Sequence, residues 1–186
     1  MTQNIAFCYT WRKMRNGTED RLLALAEDQE GYFALKDAVA SGIPAPLILQ
    51  LHARGRLERP ARGVYRIVRF PASPHGDLWL AVLWPRGTAT VRGVLSGETA
   101  LLLHGGTDVN PSLVHVTVPK RSRIERRPPT PIVLHFDDLD PVDTELIEGL
   151  PVTSAQRTLR DLRADPAQSR YADAFERSLR AREVTD

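Results

Sequence analysis

Six arginines, Arg54, Arg56, Arg59, Arg62, Arg66 and Arg69, fall in one short stretch in which Glu58 is the sole acid. Clustered guanidinium groups raise a local positive potential that draws phosphates. The plainer reading is a solvated strand face in an arginine-rich chain, which has 22 Arg and three Lys. A second group is His115-Val-Thr117 with His135-Phe-Asp137. Two copies of His-x-Thr could supply an acid and a base, but the second histidine is followed by Asp137, so the pair fails. His104, His115, His135 and Asp137 can meet as a metal site in principle. Their spacing follows no ligand pattern, and surface or core-edge histidines are the more ordinary reading. Gly105-Gly106 follows a helical pattern instead of opening one, so no glycine-rich phosphate loop is present. Cys8 is alone, which excludes an intrachain disulfide or a cysteine zinc site. The third group pairs a basic loop, Lys120, Arg121, Arg123, Arg126 and Arg127, with the acidic run Asp137, Asp138, Asp140, Asp143, Glu145 and Glu148. The loop reads equally as a second DNA contact, a partner surface, or a solvated segment that the acids neutralise.

The elements that would hold the arginines make a small module. Residues 1–17 show no period and read as a tail. Thr18 caps a helix with Glu19 and Asp20 in its first turn, where the helix dipole favours anions. Tyr32 and Phe33 lead into a second helix over Ala34 to Ser41, stopped by Gly42. A third opens at Pro46, tolerated in a first turn, and stops at Gly55. Leu47, Ile48 and Leu51 share its inner face; Pro46, Leu49, Gln50 and Ala53 face outward with Arg54 at the edge. Gln50 is the residue there that can make a two-pronged contact to adenine. His52 on the flank fits a phosphate contact and a plain surface imidazole about equally. The runs Leu57 to Arg59 and Val64 to Ile67 fold back at Arg62-Gly63 as a hairpin, with Tyr65 and Ile67 inward, Arg66 outward and Arg62 at the tip. Two short helices around a turn followed by a basic hairpin constitute a winged helix-turn-helix over Phe33 to Val68, able to place a helix in a groove and the hairpin on the backbone.

Past a linker with Pro71, Pro74 and Gly76, Asp77 caps a helix from Leu78 to Trp84 that Pro85 closes. A helix over Glu98 to His104, strands at Val114 to Val118, Ile132 to Leu134 and Thr144 to Ile147, a helix from Ser154 to Arg163 and a last one from Pro166 to Arg182 make an α+β domain. The expected division is a tail (1–17), a winged helix-turn-helix (18–70), a linker (71–76) and a C-terminal α+β domain (77–186). The net charge of +2 conceals an excess of +4 over residues 1–75 against −2 over the remainder. With 42% apolar and 26% charged residues the chain reads as globular. It has no membrane-length apolar run and no signal-peptide pattern at its start, so a cytoplasmic location without membrane association is expected.

Tyr32-Phe33, Asp37-Ala38, Gly42-Ile43-Pro44, Arg54-Gly55-Arg56-Leu57 and Arg62-Gly63-Val64-Tyr65-Arg66 resemble the N-terminal domain of AbiEi-type antitoxins of type IV toxin-antitoxin systems. Leu95-Ser96, Glu98-Thr99-Ala100-Leu101, His104-Gly105, Val114 to Pro119 and Gly149 to Leu162 look like that family's C-terminal domain. The resemblance implies an antitoxin that counteracts a nucleotidyltransferase-like toxin and represses its own promoter DNA, with no cofactor and no enzymatic activity. It departs from the family at Ala45, Leu49 and Ala53, where similar proteins carry polar or basic residues. Some relatives carry a metal-dependent nuclease domain with an acid two positions before a lysine; none of Lys13, Lys36 and Lys120 has that acid.

The expected DNA-binding residues are therefore Gln50, Arg54, Arg56, Arg59, Arg62 and Arg66. The expected partner-binding residues are Lys120, Arg121, Arg123, Asp137, Asp138 and Asp140. A two-fold operator would pair two wings as a dimer on DNA, though no residue pattern fixes an oligomeric state. Two alternatives stand beside the antitoxin-repressor: a toxin-neutralising protein without DNA binding, and a nuclease-like nucleic-acid enzyme.

Overall fold

The computed structural model describes residues 17–72, 74–88, 91–105, 112–122, 124–129, 131–166 and 168–183. The chain forms two compact units that divide between Gly87 and Thr88.

In the first unit, α1 (Gly17–Ala26) begins one residue before the expected cap and buries Leu22 and Ala26. A 3-10 turn over Glu27–Gln29 leads to β1 (Tyr32–Ala34). At three residues β1 is too short to show an alternation, which is why the sequence reads it as a mere lead-in. Two helices follow: α2 (Leu35–Ala40), with Ala38 buried, and α3 (Ala45–Ala53), with Pro46 in its first turn. The helical projection of α3 holds, since Ile48 and Leu51 are buried whereas Leu49 is half exposed. β2 (Leu57–Ala61) and β3 (Val64–Ile67) make the wing, and β3 lies between β1 and β2 in an antiparallel sheet. Phe33, Ile48, Tyr65 and Ile67 are among the residues that close the core.

Helix α4 (Gly76–Thr88) passes through Pro85, where the sequence ends it. Proline removes one helical hydrogen bond, yet the helix continues because its last turn is anchored. Arg86 Nε donates to Asp37 Oδ1 at 2.6 Å, and Gly87 lies against the wing turn. These contacts, with Trp79, Ala81, Val82 and Leu83 buried, place α4 in the first unit, whereas the sequence division assigns it to the second.

Among the described residues, the second unit has a mixed sheet in the order β6-β5-β4-β8-β7, built from β4 (Val94–Leu95), β5 (Val114–Val118), β6 (Ile132–Phe136), β7 (Thr144–Ile147) and β8 (Leu150–Thr153). β5 and β6 are parallel, so Thr117 stands beside His135 and Val118 beside Phe136. β7 and β8 form a hairpin whose Glu148 and Gly149 both have positive φ, as a two-residue primed turn requires. Strands β4 and β8 are absent from the sequence reading: β4 has two residues, and Pro151 within β8 argues against a strand. Three helices complete the unit, α5 (Gly97–Leu103), α6 (Ala155–Ala164) and α7 (Ala172–Glu183), with Leu101, Leu162 and Phe175 in their shared core. Ser154 caps α6 as expected, its Oγ accepting from Arg157 N at 3.4 Å. No described helix is long and apolar enough to cross a membrane.

Candidate functional site

The outer face of α3 presents Pro46, Leu49, Gln50 and Ala53, all exposed, with Arg54 just past its end. Beside it the wing divides the arginines into two kinds. Arg59 and Arg62 are exposed, Arg59 resting 5.7 Å over the Tyr65 ring and Arg62 at the turn. Arg56 instead pairs with Glu19 at 3.0 Å. Arg66, expected to stay outside, is drawn in: its side chain is 13% exposed, and Nη2 donates to the carbonyls of Phe70 at 3.0 Å and Pro71 at 2.8 Å. It also lies 3.6 Å from Glu58 and over the Tyr32 ring. Alternation places the Arg66 Cβ on the outer face of β3, but a long side chain can fold back to satisfy carbonyls where the strand ends. His52 is likewise a latch, since Leu57 O can only accept and the Nδ1 contact at 2.9 Å therefore carries the proton on His52.

The wing turn is held from two sides. Leu35 N donates to Gly63 O at 2.8 Å, and a Cβ on Gly63, whose φ is +86°, would stand 2.8 Å from Gly87 Cα. Two glycines thus let the end of α4 touch the turn backbone, which fixes where Arg62 emerges.

Residues 20–68 match the family model of the AbiEi antitoxin transcriptional regulator. The AbiEi match runs from α1 to the end of the wing and stops within the first unit. No curated protein matches the chain. Among solved structures, the RV2827C protein from Mycobacterium tuberculosis is similar at 20% sequence identity with a TM-score of 0.44. The similarity covers 82% of this chain, which spans 62% of that protein's length. The AbiEi stretch contains every residue expected to bind DNA, from Gln50 to Arg66.

In the second unit the charged groups gather around Arg157, 6% exposed on α6. Its Nε donates to both Asp161 oxygens at 2.8 Å, Nη1 to Asp143 at 3.0 Å and Nη2 to Asp137. Burial alone would lower the guanidinium pKa, but Asp161, then Asp137 and Asp143, outweigh it and hold it above its ordinary value. Lys120 lies 2.9 Å from Asp137. Its hydrogen bond, then those of Arg157, pull the Asp137 carboxyl down to about 2 against the opposing effect of burial. Asp138 Oδ1 accepts from Lys120 N, and Asp140 and Asp143 cap the turn before β7 reciprocally. The basic loop and acidic run therefore do meet, through Lys120 with Asp137 and Asp138. Arg121 is exposed, and Arg123 lies outside the described residues.

His115 and His135 also meet, Nδ1 to Nε2 at 2.8 Å with rings stacked 5.1 Å apart. Burial lowers both pKa values, so the pair is neutral near pH 7, one ring donating and the other accepting. His104 does not join them; its Nε2 donates to Thr153 O at 2.8 Å. Among the described residues, no group of three or more His, Cys, Asp or Glu is arranged to hold a metal ion. A cleft of about 620 Å³ opens beside His135, Asp137 and Arg157. Sequence reasoning missed Arg157 and Asp161 as a hub; the signal available was their i, i+4 spacing on a helix.

Proposed function

We propose that this chain is a non-enzymatic cytoplasmic antitoxin that counteracts a nucleotidyltransferase-like toxin and represses its own promoter. The observation that carries this reading is the coincidence of the AbiEi match, residues 20–68, with a winged helix whose wing exposes Arg59 and Arg62. The DNA-binding set is Arg54, Arg59 and Arg62 with Gln50 as base reader. Arg56 and Arg66 shape the module and contribute less to contact, being held by Glu19 and by the carbonyls of Phe70 and Pro71. Backbone contacts of this kind give affinity that falls with salt and little sequence discrimination. The C-terminal α+β unit, from Thr88 onward, carries the antitoxin role, with the exposed Asp138 and Asp140 as its partner-facing acids.

The test has two parts. A mobility-shift titration against the DNA upstream of the gene reads repression, with retarded complex expected in the nanomolar-to-micromolar range and lost on adding salt. Co-expression with the neighbouring nucleotidyltransferase-like open reading frame reads neutralisation, with restored growth expected. Failure of the second part removes the antitoxin reading whatever the DNA result. A toxin-neutralising protein without DNA binding is favoured by one observation, the apolar outer face of α3 at Pro46, Leu49 and Ala53; it predicts rescue with no shifted DNA.

A further inference from the structure

The cleft of the second unit has a volume of about 620 Å³, within the roughly 300–1,000 Å³ of small-molecule sites. Its wall carries three carboxylates, Asp137, Asp161 and Asp165, against one guanidinium, Arg157. Arg157 is already engaged by carboxylates, its Nε, Nη1 and Nη2 donating to Asp161, Asp143 and Asp137, so its charge is largely neutralised within the wall. Lys120 is occupied by Asp137. With three carboxylates in the wall against one guanidinium that carboxylates already engage, the net charge of the wall suits a cation over a phosphate.

A second, independent observation comes from the mouth of α5. Ser96 is its N-cap residue and is 3% exposed, but its hydroxyl caps nothing and has no hydrogen-bond partner among the described residues. The amide it would ordinarily take, Glu98 N, donates instead to Gln168 Oε1 at 3.1 Å. Gln168 reaches that position because residue 97 is glycine, where a Cβ would stand 2.6 Å from Gln168 Oε1. The substitution of one cap for another leaves Ser96, a residue of the cleft wall, with its hydroxyl unpartnered among the described residues. Buried hydroxyls without a partner are uncommon, and one on a cleft residue is completed by water or by a ligand.

We propose that this cleft binds a small organic cation bearing primary ammonium or guanidinium groups, with its N–H groups donating to Ser96 Oγ and to the carboxylates of Asp161 and Asp165. A carboxylate has about four acceptor sites, so the bonds from Arg157 Nε leave Asp161 able to accept more. The neutral His135 forms the adjoining wall with His115 behind it; Asp161 and Asp165 face His135, and Asp165 faces His115. A bound cation and a protonated His135 would repel each other, so binding weakens as the pH is lowered through the histidine range.

The experiment titrates the full chain with agmatine and with spermidine at pH 7.5 by calorimetry, following the histidine ring resonances by NMR. Saturable binding of at least one amine is expected, with His135 shifting and affinity falling toward pH 5.5. Ser96→Ala should weaken it about tenfold, as loss of a hydrogen bond from a charged donor does. Because Gln168 caps α5, this variant should keep the wild-type thermal midpoint. Asp165→Asn should weaken binding further. Absence of saturable binding by both amines at millimolar concentration, preferential binding of inorganic phosphate, or an unchanged affinity in folded Ser96→Ala would each overturn the proposal.

Discussion

Replacing Arg62 and Arg66 separately by alanine distinguishes an arginine that meets DNA from one that holds the module together. On the sequence both belong to the wing's basic face, but the structure exposes Arg62 and leaves the Arg66 side chain 13% exposed. Each phosphate neutralised contributes about −0.9 to the slope of log K against log salt, so the proposed contacts of Arg54, Arg59 and Arg62 would together give about −2.7 for one copy of the module. Arg62→Ala should bring that to about −1.8, and at fixed salt near 50 mM should weaken binding several-fold, with an unchanged thermal midpoint. Arg66→Ala should do the reverse. It leaves the carbonyls of Phe70 and Pro71 without their donor and uncovers the Tyr32 ring, which costs about 1–3 kcal/mol of stability. The slope should stay near its parent value as long as the protein is folded. The assay is a filter-binding or mobility-shift series from 50 to 200 mM salt, paired with thermal unfolding of the same preparations. A slope reduced as much by Arg66→Ala as by Arg62→Ala, at an unmoved midpoint, would refute this division of roles.

Gly63→Ala should destabilise the first unit by about 1–3 kcal/mol, since φ is +86° and the new Cβ would meet Gly87 Cα at 2.8 Å; calorimetric unfolding reads this. Gly87→Ala, whose Cβ would meet Arg62 O at 3.0 Å, should cost less and weaken DNA binding more than its stability loss explains. Arg157→Met should cost about 3 kcal/mol, the low end for a broken buried pair because Asp137 is 39% exposed, measured by urea unfolding. The pH dependence has two windows. Asp137 has a folded pKa near 2, below its unfolded value, so its contribution is present above pH 4 and is lost as pH falls from about 4 toward 2. Burial depresses His115 and His135, so the unfolded chain takes up protons first and stability falls as pH drops below about 6.5; urea midpoints at pH 7.5 and 5.5 should show this loss, and His135→Gln should flatten it.

The winged module was legible because its signals are local. A glycine stopping each helix, three apolar residues on one face of α3 and an Arg-Gly turn each act over a few residues, and together they specify two helices and a hairpin. What was not legible depends on pairing between distant segments. β1 has three residues and β4 two, too few for a period to register, and both are strands because β3, β5 and β8 supply their partners. Pro85 reads as a helix end, and it is overruled by contacts of Arg86 with Asp37, 49 residues back, and of Gly87 with Gly63, separations that no helical window spans.

The same distinction governs the charges, and it determines what a cluster of arginines can be taken to mean. Arg56, Arg66 and Arg157 are spent on carboxylates or carbonyls supplied by other parts of the chain, whereas Arg59 and Arg62 face water. Composition counts the two kinds alike. Asp161 holds Arg157 at i, i+4 on one helix, whereas Arg62, beside the turn glycine Gly63, is exposed. In the second unit Arg157 and Lys120 claim Asp137, and Arg157 claims Asp143, which leaves the exposed Asp138 and Asp140 as the acids of the proposed partner surface. Charge reversal at Asp138 and Asp140 should therefore impair toxin neutralisation in co-expression while lowering the thermal midpoint only by the loss of their local caps. Reversal at Asp137 should lower the midpoint, because it places a cation beside Arg157 and Lys120. If growth rescue survives the first pair of substitutions intact, the acidic run is structural throughout and the proposed toxin-binding surface lies elsewhere on the unit.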